Sequence, residues 1–355
     1  MHVPDGFIDA PVSAATGVVA AAALAVSLRG ARREQGGTSR ASEVERGGER
    51  TAPLAGLVAA FIFAVQMLNF PVAAGTSGHL LGGALAAILV GPYTGVLCVS
   101  VVLLMQGVLF ADGGLTALGV NITDMAITTT VVAYAVFRGL VKILPRGRRS
   151  ITAASFTAAL LSVPAAALVF TLLYALGGTT DVSLGKVAGA MIGVHVLIGV
   201  GEAAITALTV GAVIAVRPDL VHGARGLEQR LKLRVNGELV DSAPQRPAPV
   251  RGSHRKVWLT GLAASLLLAG FVSFYASSNP DGLEKVAADH GIDRTTEEHA
   301  SADSPLADYG VRDVEDARLS GGLAGVIGVG VTVVAGTGVF WAVRRRRDTS
   351  KTQAA

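Results

Sequence analysis

Residues 187–216 read VAGAMIGVHVLIGVGEAAITALTVGAVIAV. Only His195 and Glu202 interrupt a run otherwise made of apolar residues, glycine and threonine. A helix of about 20 residues crosses the hydrocarbon core of a bilayer, so this run spans it with length to spare. Outward from it, apolar stretches lie at 11–28, 52–70, 80–91, 93–111, 122–144, 151–177, 257–276 and 320–343. The 355-residue chain is 51% hydrophobic and 16% charged, with a mean hydropathy of +0.54; an average soluble domain is about 25% charged. The expected fold is all-α: a polytopic transmembrane helical bundle of seven segments, followed by a C-terminal two-helix hairpin.

One stretch is short. Residues 80–91 end at Gly91-Pro92, and they read as a half-helix, a tilted helix or part of a re-entrant hairpin. Irregular backbone at membrane depth is tolerated only where protein or a cavity surrounds it, so this weak crossing is also a candidate site. The charged loops orient the rest through the excess of Lys and Arg on the cytoplasmic side. With nine alternating segments, the Arg-rich loop 29–50, the cluster Arg138 to Arg149, the stretch 217–256 and Arg344 to Arg347 fall on one side. Loops 71–79 and 112–121 contain no Lys or Arg, and loop 277–318 is acidic. The expectation is a plasma-membrane protein with its N-terminus outside and its C-terminus in the cytoplasm. Residues 30–50 read as disordered. Pro244, Pro247 and Pro249 mark 218–256 as a flexible linker between a unit at 1–217 and a hairpin at 257–347. Cys98 is the single cysteine and excludes an intrachain disulfide framework.

The chain opens Met1-His2-Val3-Pro4-Asp5-Gly6-Phe7. A signal peptide opens with positive charge; this start has none, so Met1 is expected to remain the terminal residue. A free amine at Met1 and an imidazole at His2 close two chelate rings through the amide nitrogen between them. Three nitrogens then lie nearly in a plane, and a fourth completes a square suited to Ni²⁺, Cu²⁺ or low-spin Co²⁺; Zn²⁺ prefers a tetrahedron. Binding displaces the amide proton and weakens in acid. The plainer reading is an ordinary, disordered terminal histidine. His79, in Gly75-Thr76-Ser77-Gly78-His79-Leu80-Leu81-Gly82-Gly83, shares the outer side on this topology. It reads either as an interfacial histidine or as a fourth nitrogen. His290 and His299 are also outside, in the distant acidic loop.

The opening heptapeptide and the Gly75–Gly83 stretch resemble motifs of the CbiM/NikM family, as do Phe110-Ala111-Asp112-Gly113-Gly114-Leu115-Thr116-Ala117-Leu118-Gly119 and Gly199-Val200-Gly201-Glu202-Ala203-Ala204-Ile205-Thr206. These proteins are the substrate-capture components of energy-coupling-factor ABC transporters for cobalt and nickel. The resemblance implies a seven-helix bundle with an inward-tucked N-terminus, and a metal held by the Met1 amine, the His2 amide and imidazole, and His79. Further on, Asn279-Pro280-Asp281-Gly282-Leu283-Glu284-Lys285-Val286-Ala287 resembles the PDGLE module of the small companion component of nickel transporters, here fused to the capture unit.

Polar groups within membrane segments are functional candidates. His195 and Glu202 lie seven apart on one helical face, and read either as outer support or a path for metal, or as an interhelical hydrogen-bonded pair. Gln106 and Asn121 carry the same ambiguity, and Ser77 flanks the His79 motif. Gly189 and Gly193 read as a tight helix-packing site. No stretch matches the phosphate-binding pattern Gly-x-x-x-x-Gly-Lys-Ser/Thr. The expected function is capture of Co²⁺ or Ni²⁺ outside the cell, with ATP hydrolysis on separate ATPase subunits joined through a transmembrane coupling subunit. No cofactor beyond the transported ion, no enzymatic activity and no nucleic-acid partner are expected. The alternative is an intramembrane metalloenzyme built on His195 and Glu202.

Overall fold

The computed structural model describes residues 1–35, 51–73, 75–145, 147–224, 232–235, 238–241 and 254–352. Of the stretch 30–50 expected to be disordered, residues 30–35 instead continue the helix Ala10–Gln35, while 36–50 lie outside the described residues, as do Pro244, Pro247 and Pro249. Among the described residues, seven helices are long and apolar enough to cross a membrane. In the first unit these are α1 (Ala10–Gln35), α4 (Pro92–Phe110), α5 (Leu118–Ile143), α6 (Arg148–Gly177) and α7 (Leu184–Val216), with the shorter α2 (Thr51–Gln66) and α3 (Gly83–Val90) between α1 and α4. The hairpin supplies α8 (His254–Gly270), the short α9 (Gly282–His290) and α10 (Ala317–Thr352). Two of the nine expected segments are therefore too short to span as helices alone.

The short crossing at 80–91 resolves into a half-helix. A small antiparallel ladder, β1 (Phe70–Ala73) with β2 (Thr76–Gly78), leads into it. Residues 76–81, extended at up to about 3.3 Å each, plus eight helical residues at about 1.5 Å each, reach about 32 Å at most, enough for a core of about 30 Å. The irregular part is paid for by Glu202 of α7, whose carboxylate accepts the amides of Leu81 (2.6 Å) and Gly82 (3.1 Å). These N–H groups precede α3 and have no helical partner. Gly82, at φ +90°, makes the left-handed turn into the helix.

At the opposite end, Glu34 of α1 accepts the amides of Tyr93 (3.1 Å) and Thr94 (2.8 Å), capping α4. The start of α4 and the end of α1 thus share one face of the bundle, as the alternating topology requires. The hairpin packs on α2: Gly56 stands so close to α10 that an added Cβ would sit 2.4 Å from Thr337 Oγ1.

Three other expectations need correction. Gly189 and Gly193 meet no neighbour where a Cβ would stand, because both are exposed on the outer side of α7. Within the linker, β3 (Lys232–Val235) pairs with β4 (Glu238–Asp241) in an antiparallel ladder, so that part is not structureless. The acidic loop is not distant either. It folds back over the N-terminus, where the Glu297 amide donates to the Asp5 carbonyl at 3.0 Å.

Candidate metal centre

The first eight residues are drawn into the bundle. Met1 and Phe7 are each 2% exposed and Val3 is fully buried. An irregular segment buried this deeply must satisfy its backbone groups, and the loop 111–117 together with Asn121 of α5 does so. Val3 N–H donates to Asn121 Oδ1 (2.7 Å), and Asn121 Nδ2 donates back to the Val3 carbonyl (3.1 Å). Gly114 N–H donates to the same carbonyl at 2.9 Å. The Asp5 carboxylate accepts the amides of Leu115 (3.2 Å) and Thr116 (2.8 Å). Residue 114 has to be glycine, because a Cβ would lie 2.3 Å from the Asp5 amide nitrogen.

This anchoring brings Met1, His2 and His79 together. The Met1 amine lies 2.8 Å from His79 Nε2. His79 Nδ1 faces the Leu80 carbonyl at 3.0 Å; that contact takes the ring proton and leaves the Nε2 lone pair toward the amine. The rings of His2 and His79 lie 5.2 Å apart between centroids, tilted by 39°. Two nitrogens bound side by side to one ion at about 2.0 Å each stand about 2.8 Å apart, which is the separation of the amine and His79.

Two carboxylates hold these groups. His2 Nδ1 is hydrogen-bonded to Asp112, and the Met1 amine to Asp281 of the hairpin. Among the described residues, His2 Nε2 is buried without a hydrogen-bond partner. Burial alone would raise the Asp112 carboxyl, but the charge of His2 and hydrogen bonds from His2 and Tyr309 hold it at about 2. At Asp281 burial also pushes upward; the charge of the Met1 ammonium leads the effects that outweigh it and keep the carboxyl well below its ordinary range. Asp112 Oδ2 accepts the hydroxyl of Tyr309 (2.5 Å), which accepts from Gln106 Nε2 (2.9 Å). A cavity of about 680 Å³ between the core and the hairpin is lined by His2, His79, Asp112, Asp281, Glu284 and Tyr309.

The remaining sequence candidates divide. Asn121 and Gln106 act as supports for the terminus and for Tyr309. Ser77 ties β2 to the hairpin: its hydroxyl donates to the Asn279 carbonyl and its amide to the Pro280 carbonyl, both at 2.8 Å. His195 and Glu202 are both fully buried, but they do not form a pair. His195 Nδ1 donates to the Met191 carbonyl of its own helix at 2.7 Å, while Glu202 serves the Leu81–Gly82 amides. His195 does share a small enclosure with Met1, His79 and Asp281. His299 is nearer than expected, its Nε2 3.1 Å from the Gly113 carbonyl. Asp112 and Asp281 stood inside quoted motifs without a role. Among the described residues no three His, Cys, Asp or Glu side chains form a conventional metal cage; the donors gathered here include a main-chain amine and amide.

Fold and site together describe a multi-pass membrane protein with a buried pocket of nitrogen donors. The chain belongs to the CbiM family, the cobalt uptake substrate-specific transmembrane region, which it matches over residues 2–220, and it carries a PDGLE domain over residues 255–345. The fused nickel transport protein NikMN of Rhodobacter capsulatus is 29% identical over 97% of this chain and 98% of its own length. The putative fused nickel transport protein NikMN of Archaeoglobus fulgidus is 37% identical over 69% of this chain and 75% of its own. The cobalt transport protein CbiM of Geobacter sulfurreducens is 32% identical over 82% and 79%. A solved structure described as a transition metal transporter aligns with a TM-score of 0.49 at 26% identity, over 61% of this chain and 93% of that one. The chain is a component of cobalt or nickel transport, not an enzyme.

Proposed function

We propose that this chain captures Co²⁺ or Ni²⁺ at the outer face of the plasma membrane, as the substrate-binding component of an energy-coupling-factor transporter. The observation that carries the reading is the convergence of the Met1 amine and His79 Nε2 at 2.8 Å beside the His2 ring. In the bound state the Met1 amine, the His2 amide, His2 Nδ1 and His79 Nε2 form a square of nitrogens. His2 Nδ1 must first leave Asp112. The reading requires the Met1 amine to be free in the mature protein. The N-terminus faces outward and the C-terminus the cytoplasm, in keeping with the basic clusters at the opposite loops. ATP is hydrolysed by separate subunits that act through a membrane coupling subunit. Nickel is the favoured ion, because the relative that matches nearly the whole chain is named for nickel.

Titration of the purified full-length chain with Ni²⁺ and with Co²⁺, together with its intact mass, tests the reading. One tight site in a protein whose mass includes Met1 supports it. Absence of binding to either ion overturns it. Uptake in cells that occurs without ATPase and coupling subunits refutes the energy-coupling part.

A further inference from the structure

The two oxygens of Asp281 have different partners. Oδ1 accepts the amides of Leu283 (2.7 Å) and Glu284 (2.9 Å) and caps α9. The cap is reciprocal, for the Glu284 carboxylate accepts the Asp281 amide at 2.8 Å. Oδ2 points the other way, to the Met1 amine, and lies 3.4 Å from His79 Nε2. Capping accounts for Oδ1 alone. The turn that carries Asp281 is itself fixed to the capture unit, because the carbonyls of Asn279 and Pro280 accept from Ser77, two residues before His79. Gly282 sits against Val194, His195 and Ile198 of α7 so closely that an added Cβ would be 2.6 Å from Val194 Cγ1. The carboxylate is therefore held rigidly over the amine.

We propose that Asp281 is the positioning residue of the metal centre: through Oδ2 the hairpin seats the terminal amine beside His79, before and after the ion binds. The proposal rests on the capture reading above. A chain terminus is otherwise free to move, and each donor that must be ordered on binding weakens the complex. An amine bound to an ion keeps two N–H groups, so one can still donate to Asp281 Oδ2. This is the arrangement by which carboxylates behind metal ligands orient them and strengthen them as donors. It gives the fused hairpin a definite task, which is to hold the donor at the chain terminus.

Asp281→Asn separates the two roles, since the amide oxygen keeps the cap while an NH₂ group faces the amine. Asp281→Ser keeps a capping oxygen and removes the contact altogether. Asp289→Asn, at an exposed position in the same helix, is the control. Full-length proteins with free N-termini are titrated with Ni²⁺, and separately, without metal, the rate of Met1 acylation by an amine-selective reagent is followed by mass spectrometry. Both Asp281 variants should bind Ni²⁺ about 10–100-fold more weakly with an unchanged absorption spectrum, and their amines should acylate faster than wild type or control. Acylation at the wild-type rate overturns the contact. Faster acylation with undiminished affinity overturns its service to the ion. A wild-type chain that binds no Ni²⁺ while its variants acylate faster overturns the capture reading, and the role in metal binding with it, but leaves the seating of the amine intact.

Discussion

The backbone of Val3 and the side chain of Asn121 bind each other twice, at 2.7 and 3.1 Å, as two strands of a sheet would. The amide of Asn121 thus stands in for a peptide group and fixes the terminus at the depth of His79. Asn121→Ala leaves the Val3 N–H buried without a partner, at a cost of about 1–3 kcal/mol. Released from that point, the first residues move, and Ni²⁺ affinity is expected to fall at least about 10-fold. Titration of the variant decides; unchanged affinity would show that the chelate forms without this anchor.

The Met1 amine is proposed as a donor, so blocking it removes one corner of the square and one end of the contact with Asp281. N-terminal acetylation or an N-terminal tag should abolish tight binding, while a C-terminal tag leaves it unaltered. Loss of a direct ligand should exceed the 10–100-fold typical of the groups behind ligands. Full affinity in the N-acetylated protein would contradict the proposed chelate.

Truncation near Arg251 removes Asp281, Tyr309 and the wall of the cavity together. The first unit retains Met1, His2, His79, Asp112 and Asn121, so the truncated chain is expected to bind Ni²⁺ still, more weakly than the full chain. Uptake in cells should fall further than binding does. Uptake at the intact rate would deny the hairpin any part in transport.

Asp124 is fully buried in the π-helical segment Ile122–Thr128, and among the described residues neither of its oxygens has a hydrogen-bond partner. A polar group buried without a partner costs a few kcal/mol, and ionisable groups retained inside membranes commonly serve the passage of ions or protons. Asp124→Leu is expected to raise the melting temperature in detergent and to lower metal uptake. A lower melting temperature with full uptake would assign the carboxyl a structural role.

The long helices are legible because a bilayer demands an unbroken apolar run, and residues 187–216 supply one by themselves. Residues 80–91 are ambiguous for a physical reason. Their depth depends on Glu202, more than a hundred positions away, which takes up the Leu81 and Gly82 amides. That Met1, His2 and His79 come together is legible through the chemistry of the terminal chelate and through motifs. Asp281 is not. An acid three residues before Glu284 announces a helix cap, and nothing local reveals that its second oxygen meets an amine 280 residues earlier in the chain. Gly189 and Gly193 mislead because their four-residue spacing is the same on a face that packs and on one that does not.

His79 offers the sharpest test of the centre. Met1 and His2 supply three nitrogens of the proposed square, and His79 Nε2, with its lone pair directed at the amine, supplies the fourth. His79→Ala opens that corner to water. The affinity for Ni²⁺ should then drop by more than the 10–100-fold that outlying groups contribute. His290→Ala, at an exposed position in the hairpin, should change little; His299 is unsuitable as a control because it touches the Gly113 carbonyl. Spectroscopy separates the models further. Ni²⁺ in a plane of four nitrogens is diamagnetic and yellow, whereas octahedral Ni²⁺ is paramagnetic. The wild-type complex is expected to be diamagnetic, and His79→Ala to shift its absorption as an oxygen replaces a nitrogen. A paramagnetic wild-type complex, or a His79→Ala variant with the spectrum and affinity of wild type, would show that the ion binds elsewhere.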